Sequence, residues 1–294
     1  MTGFGLAHDM SLPGKLFVTD FDGTLLKSDK TIAEPDLETL RFLQSKRIVT
    51  AIATGRSVYS FTKAVESLGM TLGEYCLPVD YLIFSTGAGI IRFPRGDIIF
   101  KKCLGPDDIR KITGYFDSEK LDYMVHKPMP GTRYFLYRTH GRYNPDFQAR
   151  LGIYKGYAHQ MDEGTVFSES ATQVLAIIPA PPDMEYIKGI RKKLSGYSVI
   201  HATSPLDHES AWIEVFHRQV SKAGAVAFLA ENLGICRSNV IAVGNDYNDR
   251  DMLEWSGKAF VVNNAPCALK RMFCNVSSND ECGVTDAAEK SGIL

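Results

Sequence analysis

The chain has no CxxC pair among its six cysteines, Cys76, Cys103, Cys236, Cys267, Cys274 and Cys282, so neither a zinc knuckle nor a redox dithiol is indicated. Scattered thiols in a chain of this size suit a reducing cytoplasm, with packing as their default role. No stretch approaches the roughly 18 apolar residues that a membrane span needs, and Met1 to Met10 lack the basic start and apolar core of an export signal. These absences predict a soluble, unexported, cytoplasmic protein. Charge of either sign is not in excess: 33 Lys and Arg against 34 Asp and Glu leave a formal net charge of -1. The lack of a basic field argues against nucleic acid or a membrane surface as the partner and leaves a small ligand. The seven histidines show no HxxxH spacing, so His201, His208 and His217 read as ordinary polar residues. Repeats and low-complexity tracts are also lacking, and the expected state is a monomer or weak homodimer.

What remains is a chain of 294 residues, 45% hydrophobic and 23% charged, long enough for two packed domains. Leu16-Phe17-Val18 reads as a buried strand. PDLETLRFLQSK (35–46) has helical spacing, with Leu37, Leu40 and Leu43 on one stripe and Pro35 near its start. IVTAIAT is a second strand, VYSFTKAVESLG (58–69) a helix ending at glycine, and VDYLIFSTGAG (79–89) a third strand. Strand and helix alternating over short connections predict an α/β fold with a doubly wound, Rossmann-like parallel sheet. From Ile90 to about residue 202 the pattern shifts to short alternating runs with helices at 105–120 and 182–194, a mixed α+β unit. AWIEVF (211–216), a helix from Ser221 to Leu233, NVIAVG (239–244) and KAFVV (258–262) then resume the first pattern. The predicted division is a core of 1–88 and 203–294 with an inserted cap of 89–202.

Four segments where predicted strands stop carry unusual polar groups: Asp20-Phe21-Asp22-Gly23-Thr24, Thr54-Gly55-Arg56, Lys222 after AWIEVF, and Gly244-Asn245-Asp246-Tyr247-Asn248-Asp249. In open parallel sheets ligands bind beyond such ends. Asp20 and Asp22, two apart in an extended chain, face the same side. At about 4 Å their charges would repel by roughly 4 kcal/mol at an effective dielectric near 20, which a shared proton, a separating turn or a divalent cation can relieve. Singly, each segment has an ordinary explanation: Asp favours turns and helix starts, Gly55 serves a tight turn, Arg56 covers a helix start, and a lysine is usually solvated. Lys222 is nonetheless awkward, because with Ser221 as N-cap it occupies the first helical turn, where the dipole disfavours cations by roughly a few tenths of a kcal/mol.

Together, in this order and spacing, the four segments resemble the signature motifs of the haloacid dehalogenase-like hydrolase superfamily, in its Cof-type (class IIB) sugar-phosphatase-like branch. The likeness extends to FSTGAG, WIEVFHRQVSKAGAVAFLAENLGI, NDRDML and the closing NDECGVTDAAEKSG. The resemblance implies that Asp20 is the nucleophile forming an aspartyl-phosphate and Asp22 the acid/base. It implies Thr54 and Lys222 as the other catalytic groups, and Gly55, Arg56, Thr86 and Gly87 as substrate-binding positions. Mg²⁺ is the implied cofactor, its donors drawn from Asp20, Asp22, Asn245, Asp246 and Asp249. Two departures stand out: Asn245 occupies the place of the first aspartate of GDxxND, with Asp246 one position later, and Thr86 replaces the usual asparagine before the domain-exit glycine. Loss of one charge at Asn245 implies weaker metal affinity, and the resemblance leaves open which of Asn245, Asp246 and Asp249 touches the metal.

The implied activity is a Mg²⁺-dependent phosphatase for small phosphorylated metabolites, sugar phosphates among them. A phosphomutase with the same cap type, or a non-catalytic phosphometabolite sensor, are the alternatives; the large insertion and Asp22 speak against a receiver-type phosphoacceptor domain. Only 29 residues separate Thr24 from Thr54, so the cap falls after Gly89. Within it, YMVHKPMPGTRYFLYRTHGRY (123–143) collects aromatics with His126, Lys127, Arg133, Arg138, His140 and Arg142. That stretch is either a recognition surface or a half-exposed sheet with outward cations.

Overall fold

The computed structural model describes residues 14–70, 76–162 and 164–294; the expectation drawn from Met1 to Met10 lies outside them. The chain begins β1 (Leu16–Thr19), α1 (Glu34–Ser45), β2 (Val49–Ala53), α2 (Val58–Ser67) and β3 (Tyr81–Phe84). It continues through β4 (Gly89–Arg92), β5 (Ile98–Lys101), α3 (Pro106–Ser118), β6 (Asp122–His126), β7 (Phe135–Arg138), α4 (Pro145–Ile153) and β8 (Ala158–Gln160). Then come β9 (Gln173–Ile178), α5 (Met184–Lys193), β10 (Ser198–Thr203), β11 (Ala211–Phe216) and α6 (Lys222–Asn232). The last elements are β12 (Val240–Gly244), α7 (Arg250–Trp255), β13 (Lys258–Val262), α8 (Cys267–Lys270), β14 (Cys274–Val276) and α9 (Gly283–Ser291). Two compact units divide this chain, Met1–Ala53 with Cys76–Leu82 and Val226–Leu294 in the first, Thr54–Tyr75 with Ile83–Ala225 in the second.

In the first unit the strand order is β14-β13-β12-β1-β2, followed by the opening half of β3. The pairs β13/β14, β12/β13, β1/β12 and β1/β2 are parallel, which is the predicted doubly wound α/β sheet. All four residues of β1 are fully buried, as an interior parallel strand covered on both faces requires. Helix α1 has Pro35 in its first turn beside Glu34 and Asp36, which complement the helix dipole, and it buries the Leu37, Leu40 and Leu43 stripe. Asp36 also ties α1 to α9, accepting the Thr285 amide at 2.8 Å and its hydroxyl at 2.7 Å.

In the second unit the closing half of β3 leads into the antiparallel β4/β5 pair, and a separate six-stranded sheet runs β10-β11-β9-β6-β7-β8. Only β7/β8 is parallel there. Ile109, Ile112 and Phe116 of α3 and Ile187 and Ile190 of α5 pack against one face with Val125, Val174 and Ile213. The Phe147 and Tyr154 side chains join Met124, Leu175 and Trp212 in a second cluster.

One expectation is overturned. AWIEVF, read as resuming the parallel sheet, is β11 of the six-stranded sheet, antiparallel to both β9 and β10. It is an inner strand, burying Ala211, Ile213 and Val215 in one cluster and Trp212 in the other. An apolar run covered on both faces reads the same in either kind of sheet, so periodicity does not tell them apart. The return expected at residue 203 therefore comes before a strand that stays in the six-stranded sheet. No helix among the described residues is long and apolar enough to cross a membrane.

Candidate active site

The candidate residues fall on both units. In the first, Asp20 directly follows β1, and its amide donates to the Val243 carbonyl of β12 at 2.9 Å. Its side chain is 4% exposed, and the Thr24 hydroxyl donates to Oδ2 at 3.2 Å. Gly23 then turns the chain at φ +73°, a left-handed value that glycine adopts without penalty. A Cβ at Gly23 would sit 2.5 Å from the Asn245 side-chain nitrogen. The Asn245 amide thus lies against the turn that follows the two acids.

The three acidic-loop candidates have different surroundings. Asp249 is fully buried, and its Oδ2 accepts the amides of Asn245 at 2.9 Å and Asp246 at 3.1 Å. Gly244 makes room for it, since a Cβ there would approach the Asp249 carboxyl carbon to 2.8 Å. Asp246 is exposed, and its Oδ1 accepts the Tyr247 amide at 2.7 Å as a helix cap. Asn245 lies against the Asp20–Gly23 turn, Asp249 shapes the loop, and Asp246 caps the next turn. Among the described residues no three His, Cys, Asp or Glu side chains cluster as a metal cage.

In the second unit, Thr54 follows β2 along the chain, and its amide donates to the Ile83 carbonyl at 2.9 Å. The Thr54 Oγ1 accepts the Arg56 amide at 3.1 Å, which uses one of the two lone pairs of the hydroxyl. Arg56 leans along α2, with Nη1 3.4 Å from both the Ser60 carbonyl and hydroxyl oxygens. Helix α2 is capped by Ser57, whose side chain accepts the Ser60 amide at 3.2 Å. The Thr86 amide donates to the Thr54 carbonyl at 3.1 Å and the Ser85 amide to the Arg56 carbonyl at 2.8 Å, which latches the β3 exit onto the Thr54-Gly55-Arg56 turn. Gly87, at φ +95°, abuts the Ser221 carbonyl. Ser221 caps α6, its Oγ accepting the Gly224 amide at 2.9 Å, and Lys222 begins that helix with a fully buried side chain. Buried lysines are rare unless paired, and at a helix start the dipole opposes this one further. This unit brings Thr54, Gly55, Arg56, Thr86, Gly87 and Lys222 into one set of linked turns.

Ser85 and Thr86 have φ +47° and +56°. For the β-branched Thr86 this left-handed conformation is a genuine outlier, costing about 1–2 kcal/mol. Asparagine, which the family pattern favours there, tolerates it better. Thr86→Asn is expected to stabilise the protein by about 1 kcal/mol, raising the thermal midpoint by roughly 2 °C; an unchanged or lower midpoint in a melting experiment would refute the strain.

The aromatic and cationic stretch 123–143 is largely engaged in structure. His126 is buried, its Nδ1 bonds the Thr132 carbonyl at 2.8 Å, and burial together with the Arg150 charge pushes its pKa down to about 3. Arg138 Nη1 and His140 Nε2 both meet the Asp117 carboxylate, at 3.0 and 3.3 Å. The Tyr123 hydroxyl donates to the same group at 3.0 Å. Arg133 lies over the rings of Tyr134 at 5.0 Å and Tyr157 at 5.1 Å.

Sequence reasoning missed Asn264 and Asn279. Asn264 donates from Nδ2 to the Gly23 carbonyl at 2.8 Å and accepts the Asn279 amide on Oδ1 at 3.1 Å. Its place just past β13, at the carboxyl edge of the same parallel sheet, was the signal that could have found it.

The first unit sets a buried acid and an acidic loop at strand ends of a doubly wound sheet, an arrangement suited to a group-transfer hydrolase, and the sequence profile of the haloacid dehalogenase-like hydrolases matches residues 17–287. The chain belongs to that family and is an enzyme. It is 26% identical over 277 residues to the 5-amino-6-(5-phospho-D-ribitylamino)uracil phosphatase YitU of Bacillus subtilis (strain 168), covering 92% of this chain and 94% of that one. In fold it is similar to BT1666, from a study of phosphatases of the same superfamily, of Bacteroides thetaiotaomicron. The TM-score is 0.77 at 20% identity, over 99% of this chain and 100% of the other. It is also similar to the subclass IIB sugar phosphatase BT4131, with a TM-score of 0.72 at 16% identity, over 95% and 100%.

Proposed function

We propose that the protein is a Mg²⁺-dependent phosphatase that hydrolyses small phosphorylated metabolites, sugar phosphates among them, through an aspartyl-phosphate at Asp20. The observation that carries this reading is the placement of Asp20: a buried carboxylate at the end of an inner parallel strand, oriented by the Thr24 hydroxyl. An Asp20 oxygen attacks phosphorus while the bond to the leaving oxygen breaks, and Asp22 gives its proton to that oxygen. Asp22 then takes a proton from water as the water oxygen attacks phosphorus. The bond from phosphorus to Asp20 breaks, and phosphate leaves. The Thr54 hydroxyl, the Gly55 amide and Lys222 would hold phosphoryl oxygens, since phosphoryl transfer depends chiefly on positioning and charge neutralisation. Arg56, Thr86 and Gly87 shape that cradle, and the six-stranded-sheet unit selects the leaving group.

The donors fit Mg²⁺, which keeps several waters and needs only one or two carboxylates besides substrate phosphate. The Asp20 carboxylate, the Asp22 carbonyl and the Asn245 amide oxygen would hold it, with Asp249 shaping the loop and Asp246 left to its capping role. Bound there, the cation supplies charge neutralisation to the transferring phosphoryl. Asn245→Asp, which restores the missing charge, is expected to lower the Mg²⁺ concentration for half-maximal activity about 30-fold, from the roughly 2 kcal/mol by which one added charge attracts a divalent cation at about 4 Å in water. An unchanged Mg²⁺ titration would remove Asn245 from the donor set.

The deciding experiment is phosphate release from a panel of phosphorylated metabolites with Mg²⁺. Phosphate from several sugar phosphates supports hydrolysis, isomerised phosphosugar without phosphate release indicates a mutase, and binding without either indicates a sensor. A cytoplasmic location is supported by six cysteines that are all unpaired thiols.

A further inference from the structure

The segment that follows Asp22 is held by side chains distant in sequence. Asn264 Nδ2 donates to the Gly23 carbonyl at 2.8 Å. Asn279, only 3% exposed, donates its amide to Asn264 Oδ1 at 3.1 Å and its Nδ2 to the Leu26 carbonyl at 3.1 Å. Asp280 then accepts the Ser28 amide and the Ser28 hydroxyl on its two carboxylate oxygens, both at 2.8 Å. Backbone groups at residues 23, 26 and 28 are therefore fixed from the loops after β13 and before α9. Gly23 needs this most. Glycine has the widest backbone freedom of any residue, and at φ +73° it is the joint on which the preceding carboxylate would swing.

We infer that Asn264 is the positioning residue for Asp22: by fixing the Gly23 peptide, and being itself fixed by Asn279, it sets the direction from which the Asp22 proton reaches the leaving oxygen. This rests on the reading of Asp22 as acid/base given above. The step it serves is the break of the bond between phosphorus and the leaving oxygen, with the Asp22 proton passing to that oxygen as the Asp20 oxygen bonds to phosphorus. A group that only orients the acid matters in proportion to how much the leaving oxygen needs a proton. Alkoxides need it, whereas p-nitrophenolate leaves as a stable anion.

The test compares wild type with Asn264→Ala on p-nitrophenyl phosphate and on an alkyl phosphate that the wild type turns over. General acid catalysis contributes about 10²–10⁴-fold, so kcat/KM for the alkyl phosphate, which reports the step in which the leaving oxygen departs, is expected to fall about 100-fold, and kcat/KM for p-nitrophenyl phosphate less than about fivefold. Asn264→Asp, which keeps the acceptor for Asn279 and removes the donor to Gly23, is expected to give the same split and serves if the alanine variant does not fold. Equal falls in kcat/KM on both substrates, or no fall on either, would overturn the inference while leaving the phosphatase reading in place. If the wild type hydrolyses neither substrate, the phosphatase reading fails and this inference with it.

Discussion

Asp20→Asn is expected to lower phosphate release from sugar phosphates by at least about 10⁴-fold, the scale on which removal of a covalent nucleophile acts, with the thermal midpoint little changed. The substitution is nearly isosteric. An asparagine oxygen can still accept from the Thr24 hydroxyl, which meets Asp20 Oδ2 at 3.2 Å, and the backbone link from residue 20 to the Val243 carbonyl at 2.9 Å does not involve the side chain. The nucleophilic oxygen is lost, and with it the negative charge proposed to help hold Mg²⁺. Fluoroberyllate offers a second readout, because it mimics a phosphoryl group on a carboxylate: it should label the wild type at Asp20 and leave the variant unlabelled. Turnover in the variant within about tenfold of wild type would move the nucleophile elsewhere, and with it the whole reading of the acid pair.

Those acids were legible in the sequence because each lies where a buried apolar run stops. β1 and β12 are parallel neighbours, and their ends are marked by Asp20 and by Gly244-Asn245, breaks that periodicity exposes. The sheet to which β11 belongs was not legible, since an apolar run covered on both faces carries no record of its partners' direction. The acidic loop was half legible. Its composition marked a candidate site, yet that Asn245 rather than Asp246 lies against the turn after the acid pair depends on Gly23 standing at φ +73° with no Cβ in the way, a fact of the other loop's backbone. The roles of Asn264 and of Asn279, which opens the NDECGVTDAAEKSG segment, were not legible for a related reason. Asparagine in a loop is the ordinary turn residue, and only the folded distance to the Gly23 and Leu26 carbonyls makes these two different.

Gly87→Ala is expected to destabilise the protein by about 3–5 kcal/mol, the range reserved for backbone strain combined with steric overlap, and to depress activity in whatever fraction stays folded. Two effects add. At φ +95° any Cβ is disfavoured, and this one would stand 2.2 Å from the Ser221 carbonyl oxygen and 2.7 Å from its carbon. The obstacle is backbone, so no side-chain rotation relieves it. Ser221 caps α6 through its bond from the Gly224 amide and precedes Lys222, so backing the carbonyl away from residue 87 drags the helix start and the buried ammonium with it. Gly55→Ala is the control: its added Cβ would meet only the Thr86 hydroxyl at 3.8 Å, an ordinary contact, and the amide proposed to face phosphate is kept. Urea denaturation should show a change in unfolding free energy within about 0.5 kcal/mol for Gly55→Ala and a large one for Gly87→Ala. Similar small shifts for both would mean that the β3 exit is free to move away from α6, and that the position of Lys222 is set by something other than the glycine beneath its cap.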